Sequence, residues 1–196
     1  MAWPSASKFQ LSNVFAGDSG HGYYYEGRDF SQAEHSGTHT DAPAHFCRDR
    51  WHAADIPMDH LVAPGVKVSI KDRADIDQDT MLTVQDLLDW EESNGRIPDK
   101  SVVLVHTGRG RLYEDKEKYL GRPKGMDLEE TDTEHLHFPG VSPEAAAWLV
   151  DNRAIVGLGI DTPSTDRGQS KTFKTHQVTV YLIILIYQFL SPIGNL

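Results

Sequence analysis

An α/β fold is the class this chain predicts, and three observations predict it. Short runs rich in Val, Ile and Leu recur along the chain and end near Gly, Pro or charge, as strands do. The segments between them carry residues that start and stop helices. At 196 residues the chain fits one domain, 1–196, long enough to bury most of the surface its unfolded form exposes.

The strand-like runs are Leu61 to Lys71, Ser101 to Thr107 and Ala154 to Ile160. Thr83 can cap a helix that carries Val84, Leu87 and Leu88 on one face and stops at Gly95. Ser142, followed by Pro143 and Glu144, opens a second helix through Val150, since proline's fixed φ suits the first helical position. The charged stretch from Arg109 to Glu134 has no apolar period and predicts a solvated excursion. Val178 to Tyr187 is the longest apolar run, with Thr179 inside it. That is about half of what a helix needs to cross a bilayer, so it reads as buried core.

Charge and composition narrow the classes of function. A formal net charge of −10 and the lack of any lysine-rich or arginine-rich tract argue against a nucleic-acid partner. Cys47 is the single cysteine, which rules out an internal disulfide and predicts a small half-buried side chain. Met1 to Lys8 lacks an apolar core of signal-peptide length, so a cytoplasmic protein with no membrane partner is expected. No Gly-x-Ser-x-Gly elbow occurs, which sets a serine hydrolase aside.

Chemistry concentrates in His35-Ser36-Gly37-Thr38-His39-Thr40-Asp41-Ala42-Pro43-Ala44-His45. The polar side chains at 35, 39, 41 and 45 share parity, and extended backbone sends alternate residues to one face. A straight strand would still hold His35 and His39 about 13 Å apart at roughly 3.3 Å per residue, too far to share an ion. The chain must bend between them, and Gly37 permits that bend through positive φ. Pro43 restricts the far end and argues against a helix through the segment. Neutral imidazoles with an anionic carboxylate suit zinc, manganese or iron better than calcium. A turn-rich surface loop is the plainer alternative for a run of Gly, Thr, Asp and Pro. The imidazole of His45 can serve as a further ligand or as a proton carrier.

The same segment resembles the HxGTHxDxPxH signature of the cyclase-like metal hydrolases, the family of bacterial-type kynurenine formamidase and isatin hydrolase. Thr107-Gly108, Phe138-Pro139-Gly140-Val141-Ser142 and Gly159-Ile160-Asp161-Thr162-Pro163-Ser164, with His176 beyond, also look like family segments in family order. The resemblance implies a three-layer β/β/α cyclase-like (swivelling-domain) fold with a barrel-like mixed sheet. It implies His35, His39 and Asp41 as metal ligands, with His176 a further one, and His45 as the catalytic histidine. The position twelve residues after His176, usually Glu in the formamidases, is Gln188. A neutral amide offers only a carbonyl oxygen, so one divalent ion, manganese or zinc, is expected over two. Trp3-Pro4 matches a family Trp-Pro, which would place Trp3 against an aryl substrate. Arg109 stands where the family often carries an aromatic residue.

Taken with the resemblance, the site predicts a hydrolase that opens an aryl amide C–N bond, N-formylkynurenine or isatin being the family-level substrates, by metal-activated water. A homodimer is implied as well. Family members continue past this point through a segment that completes the sheet, whereas this chain ends at Leu196. A C-terminally truncated or variant member is therefore expected. The alternative is a non-catalytic or regulatory homologue that keeps the fold and part of the metal site.

Overall fold

The computed structural model describes residues 6–126, 133–181 and 185–188. In chain order, β1 (Gln10–Asp18) and β2 (Tyr24–Ser31) form an antiparallel hairpin of their own. They are followed by β3 (His39–Asp41), α1 (Met58–Leu61), β4 (Gly65–Ser69), α2 (Lys71–Ile76), β5 (Met81–Leu82) and α3 (Val84–Asn94). Then come β6 (Val102–His106), α4 (Lys116–Leu120), β7 (Gly140–Val141), α5 (Pro143–Arg153), β8 (Gly157–Ile160), α6 (Lys174–Tyr181) and β9 (Leu185–Gln188).

The principal sheet runs β3-β9-β8-β6-β4, parallel throughout except where β3 meets β9. Alternation along β4 and β6 sends Val66, Val68, Val103 and Val105 into the core, while Lys67, Leu104 and His106 are less covered. That core is completed by Leu87 of α3, Ala145, Ala146 and Leu149 of α5, and Leu158 and Ile160 of β8. Each buried Leu or Ile contributes about 1.5–3 kcal/mol by leaving water. The barrel-like closure expected from the resemblance is not found among the described residues: the sheet is open, ending at β3 and β4.

Both helix starts follow the sequence. Thr83 Oγ1 accepts from Asp86 N while the Asp86 carboxylate accepts from Thr83 N, a capping box, and Gly95 ends α3 at φ +86°. Ser142 accepts from Ala145 N, and α5 runs past Val150 to Arg153, where Ala154 closes it in the left-handed region. Leu88, expected on the buried face of α3, is 39% exposed, and Trp90 packs inward instead with Nε1 donating to Lys67 O. The Leu61 to Lys71 run is strand only over β4, flanked by short helices.

The largest departure is the 109–134 stretch. Arg109–Leu112 forms a 3-10 turn, Asp115 caps α4, and Tyr119, Leu120 and Leu136 are buried. Leu120 packs with Leu136 and Phe138, and Tyr119 and even Arg109 are buried, so this part of the segment belongs to the body; residues 127–132 lie outside the described set. The Val178 to Tyr187 run divides between the end of α6, where Val180 is buried, and β9. Among the described residues no helix is long and apolar enough to cross a membrane.

Candidate metal centre

The bend demanded by the motif occurs at Gly37, whose φ is +71°. It returns the chain so that β3 sets His39 and Asp41 on one side while His35 reaches the same point from before the turn. Same-face parity holds only for His39 and Asp41. After Ala42 the chain enters a single 3-10 turn, Pro43–His45, with proline in its favoured first position. Thus Pro43 excludes an α-helix yet starts a tighter one, and it is this turn that swings His45 back onto His35. Their rings stack with centroids 3.7 Å apart.

Ligand atoms of His35, His39 and Asp41 all lie within 4.8 Å of one another. His35 Nδ1 is 2.7 Å from Asp41 Oδ1. The other ring, His39, places Nδ1 3.0 Å from Gly37 O, leaving Nε2 for the centre. His176, 135 positions beyond Asp41 in the chain, arrives on α6 with Nε2 3.6 Å from Asp41 Oδ2. Its Nδ1 lies 2.6 Å from Asp166 Oδ2. A histidine held through one nitrogen by a carboxylate presents the other with fixed tautomer and direction, the arrangement that metal-binding histidines use.

Whether these residues suit a cation is decided by their unsatisfied atoms. His39 Nε2 comes within 3.2 Å of Asp41 Oδ1 but makes no hydrogen bond, and Asp41 Oδ2 has no hydrogen-bond partner either. Both atoms are buried, and Asp41 is 1% exposed. A buried polar atom without a partner costs about 1–3 kcal/mol, so two of them in one cluster call for a further partner. A divalent cation answers both, because the lone pairs converge and the carboxylate supplies negative charge.

The electrostatics agree. Burial opposes ionisation of Asp41, but the imidazoles of His176, His35 and His39 outweigh it and hold the carboxyl well below the usual carboxylate range. Burial pulls His39 down, and the adjacent Asp41 carboxylate with the hydrogen bond to Gly37 O overcomes it, leaving the ring above its ordinary value. The same balance raises His176, with Asp166 as its main support. His45 is the exception: burial pushes it below its ordinary range despite the pull of Asp41. It is thus neutral and able to accept a proton at physiological pH.

A cavity of about 350 Å³ opens onto this cluster, with Glu34, His35, His45 and His52 among its lining residues. Phe46 packs against His176 at 4.6 Å between ring centroids, and Phe173 at 6.0 Å, forming an apolar wall.

The family model described as "Putative cyclase" matches residues 2–167. The chain belongs to the cyclase family. Among cyclase-family relatives, the isatin hydrolase of Roseibium aggregatum is 29% identical over 141 residues, which is 70% of this chain and 50% of that protein. The chain therefore spans about half the length of that curated relative. Isatin hydrolase A from Ralstonia solanacearum superposes with a TM-score of 0.83 at 30% identity, covering 97% of this chain and 72% of that one. Isatin hydrolase A from Labrenzia aggregata, bound to benzyl benzoate, also gives 0.83, at 27% identity and with coverage of 98% and 73%. These neighbours share this chain's α/β fold.

Of the residues predicted for the site, the structure brings His35, His39, Asp41, His45 and His176 together. Gln188 enters through its backbone alone: it is paired with His39 across β9 and β3, and its side chain lies outside what is described. Trp3 lies outside the described residues altogether. Sequence reasoning missed Asp166. It accepts from Thr175 N and His176 N at the start of α6 as well as facing the His176 ring. The available signal was a carboxylate ahead of a helix start, which many turns carry. Ser164 reaches the centre indirectly, its Oγ accepting from Asp166 N. Asp161 instead ties the end of β8 to that of β6, accepting from Thr107 N at 2.8 Å and Thr107 Oγ1 at 2.7 Å.

Proposed function

We propose that this chain is a metal-dependent hydrolase that opens an aryl amide C–N bond, with isatin favoured over N-formylkynurenine as substrate class. The observation that carries this reading is the buried Asp41 carboxylate, its Oδ2 without a hydrogen-bond partner, in the company of three imidazoles. The preference for isatin rests on isatin hydrolases at 27–30% identity among the relatives.

His35, His39, Asp41 and His176 would hold one divalent ion, manganese or zinc, with Gln188 a further ligand from β9. When bound, such an ion polarises a carbonyl oxygen and brings a water's pKa toward neutrality. His45 takes the proton of the attacking water, since burial keeps its ring neutral, and returns a proton to the departing nitrogen. Its stacking on His35 fixes the ring beside the centre without using either ring nitrogen. Phe46 and Phe173 keep one side of His176 dry, and Trp3 would close on the aryl ring.

The active unit in this reading is a homodimer. On the β1–β2 hairpin Leu11, Val14, Phe15, Tyr24, Tyr25 and Phe30 are exposed, and a lone two-stranded ribbon is marginal in water. A second copy of the same surface would cover it. For the fold, the three-layer β/β/α arrangement is supported by α3 and α5 packing on the sheet as one layer.

The test is His45→Ala in manganese- or zinc-loaded protein: turnover of isatin should vanish while metal content stays at the wild-type level. Retained turnover would overturn the assignment of His45, and loss of the metal with it would make His45 a ligand.

A further inference from the structure

Away from the metal centre, a cavity of about 600 Å³ lies beyond the carboxyl end of β6, between α2 and the segment that follows Thr107. None of its lining residues lines the metal-centre cavity. The carboxyl ends of parallel strands are where open α/β sheets bind ligands.

Its walls run against the charge of the molecule. In a chain of net charge −10, this cavity is lined by Arg109, Arg111, Lys118, Arg122 and Lys124 against three carboxylates. Arg111 pairs with Asp75 at 2.6 Å and Lys118 with Asp115 at 2.9 Å. The third carboxylate, Glu117, accepts from Gly125 N. Among the described residues Arg109, Arg122 and Lys124 have no carboxylate within ion-pair distance.

Arg109 is the unusual one, because it is 7% exposed and every acceptor it has is neutral. Nε donates to Tyr119 O, Nη1 to Gln78 Oε1 and Nη2 to His137 O. A guanidinium has five N–H donors, so two remain. Burial pulls its pKa down to about 10, which leaves it cationic at neutral pH. Beside it, Arg122 Nε is buried with no hydrogen-bond partner. The backbone closes tightly here: Gly121 sits at φ +65°, and a Cβ on it would come within 1.9 Å of His137 O and 2.6 Å of Arg109 Nη2. Glycine is what allows the loop to approach the guanidinium. A fold that buries a guanidinium on neutral acceptors alone, with Asp79 and Asp161 acting on it only from beyond ion-pair distance, and leaves Nε of Arg122 unsatisfied in the lining of the same cavity has room there for an anion.

We propose that this cavity binds a small oxyanion, a carboxylate or a phosphate, gripped by Arg109 and Arg122 with Lys124 adding charge from the exposed side. The guanidinium fork matches two oxygens on one carbon or phosphorus, which a spherical halide does not offer.

The test is calorimetric titration of the full chain with inorganic phosphate and, separately, with succinate, at fixed ionic strength set by chloride. Saturable binding of one anion per chain is expected, and the stronger of the two arms tells phosphate from carboxylate. Arg122→Gln should weaken it about tenfold or more, as loss of a charge-assisted hydrogen bond does. Lys124→Glu, at an exposed position that spares the fold, should weaken it as well, whereas Lys8→Gln, a surface cation outside the cavity, should leave it unchanged. No saturable binding of either anion, or equal affinity in Lys124→Glu and Lys8→Gln, would overturn the proposal.

Discussion

Asp166 Oδ2 lies 2.6 Å from His176 Nδ1 while the opposite nitrogen of the same ring, Nε2, lies 3.6 Å from Asp41 Oδ2. One imidazole thus joins a carboxylate that caps a helix to the carboxylate at the centre. The Asp166→Asn change keeps the shape but leaves one accepting oxygen in place of two, so it removes the charge that fixes the ring together with one of the two helix-start hydrogen bonds, from Thr175 N or from His176 N. Metal affinity should fall about 10- to 100-fold, as it does when such supporting carboxylates are lost. Metal titration alongside circular dichroism checks this, and unchanged affinity would mean that His176 does not ligate.

Gly37 carries the turn that lets His35 and His39 meet. An alanine there meets no neighbouring atom within 4 Å, so its cost is confined to the backbone at φ +71°. Gly37→Ala should lower stability by about 1 kcal/mol and metal affinity by more than stability alone explains. Denaturant midpoints and metal titration separate the two effects.

The pH dependence has a definite sign. His39 and His176 are held above their ordinary range, so the stability they give the metal-free chain is complete below about 6.5, the unfolded value. It is lost as pH rises through their folded values. Asp41, held low, contributes above about 3.9 and loses its contribution only as pH falls through its folded value. Metal competes with the histidine protons, so the gain in melting temperature on adding manganese or zinc should widen from about pH 6 to about pH 8. A gain that is flat with pH would contradict this.

On the hairpin, Val14 and Phe30 are 62% and 68% exposed. If a second copy covers them, Val14→Glu with Phe30→Glu should convert the dimer to a monomer in light scattering, with the far-ultraviolet spectrum of the body retained. A mass that stays that of a dimer would place the interface elsewhere.

Much of this was legible in the residues, for reasons that can be named. Thr83, Gly95, Ser142 and Pro143 act through their own backbone geometry, so the starts of α3 and α5 and the end of α3 could be read locally. The bend at Gly37 followed from strand arithmetic alone. The burial of Arg109 and Tyr119 could not be read, because charge density predicts exposure and it is the acceptors Tyr119 O, His137 O and Gln78 Oε1, brought together by the fold, that make a buried guanidinium tolerable. Asp166 was invisible for a different reason: its role depends on α6 folding back to bring His176 beside β3, a long-range event that no local period encodes. The open sheet differs from the expected barrel-like closure because closure is a property of strand pairing across the whole chain.

The most direct test is turnover of isatin by the full chain, stripped with chelator and then reloaded with manganese or zinc. The account predicts no turnover in the stripped protein and recovery at about one ion per chain. Turnover that survives complete removal of metal, or one tightly held ion per chain with no turnover of isatin or N-formylkynurenine, would contradict it.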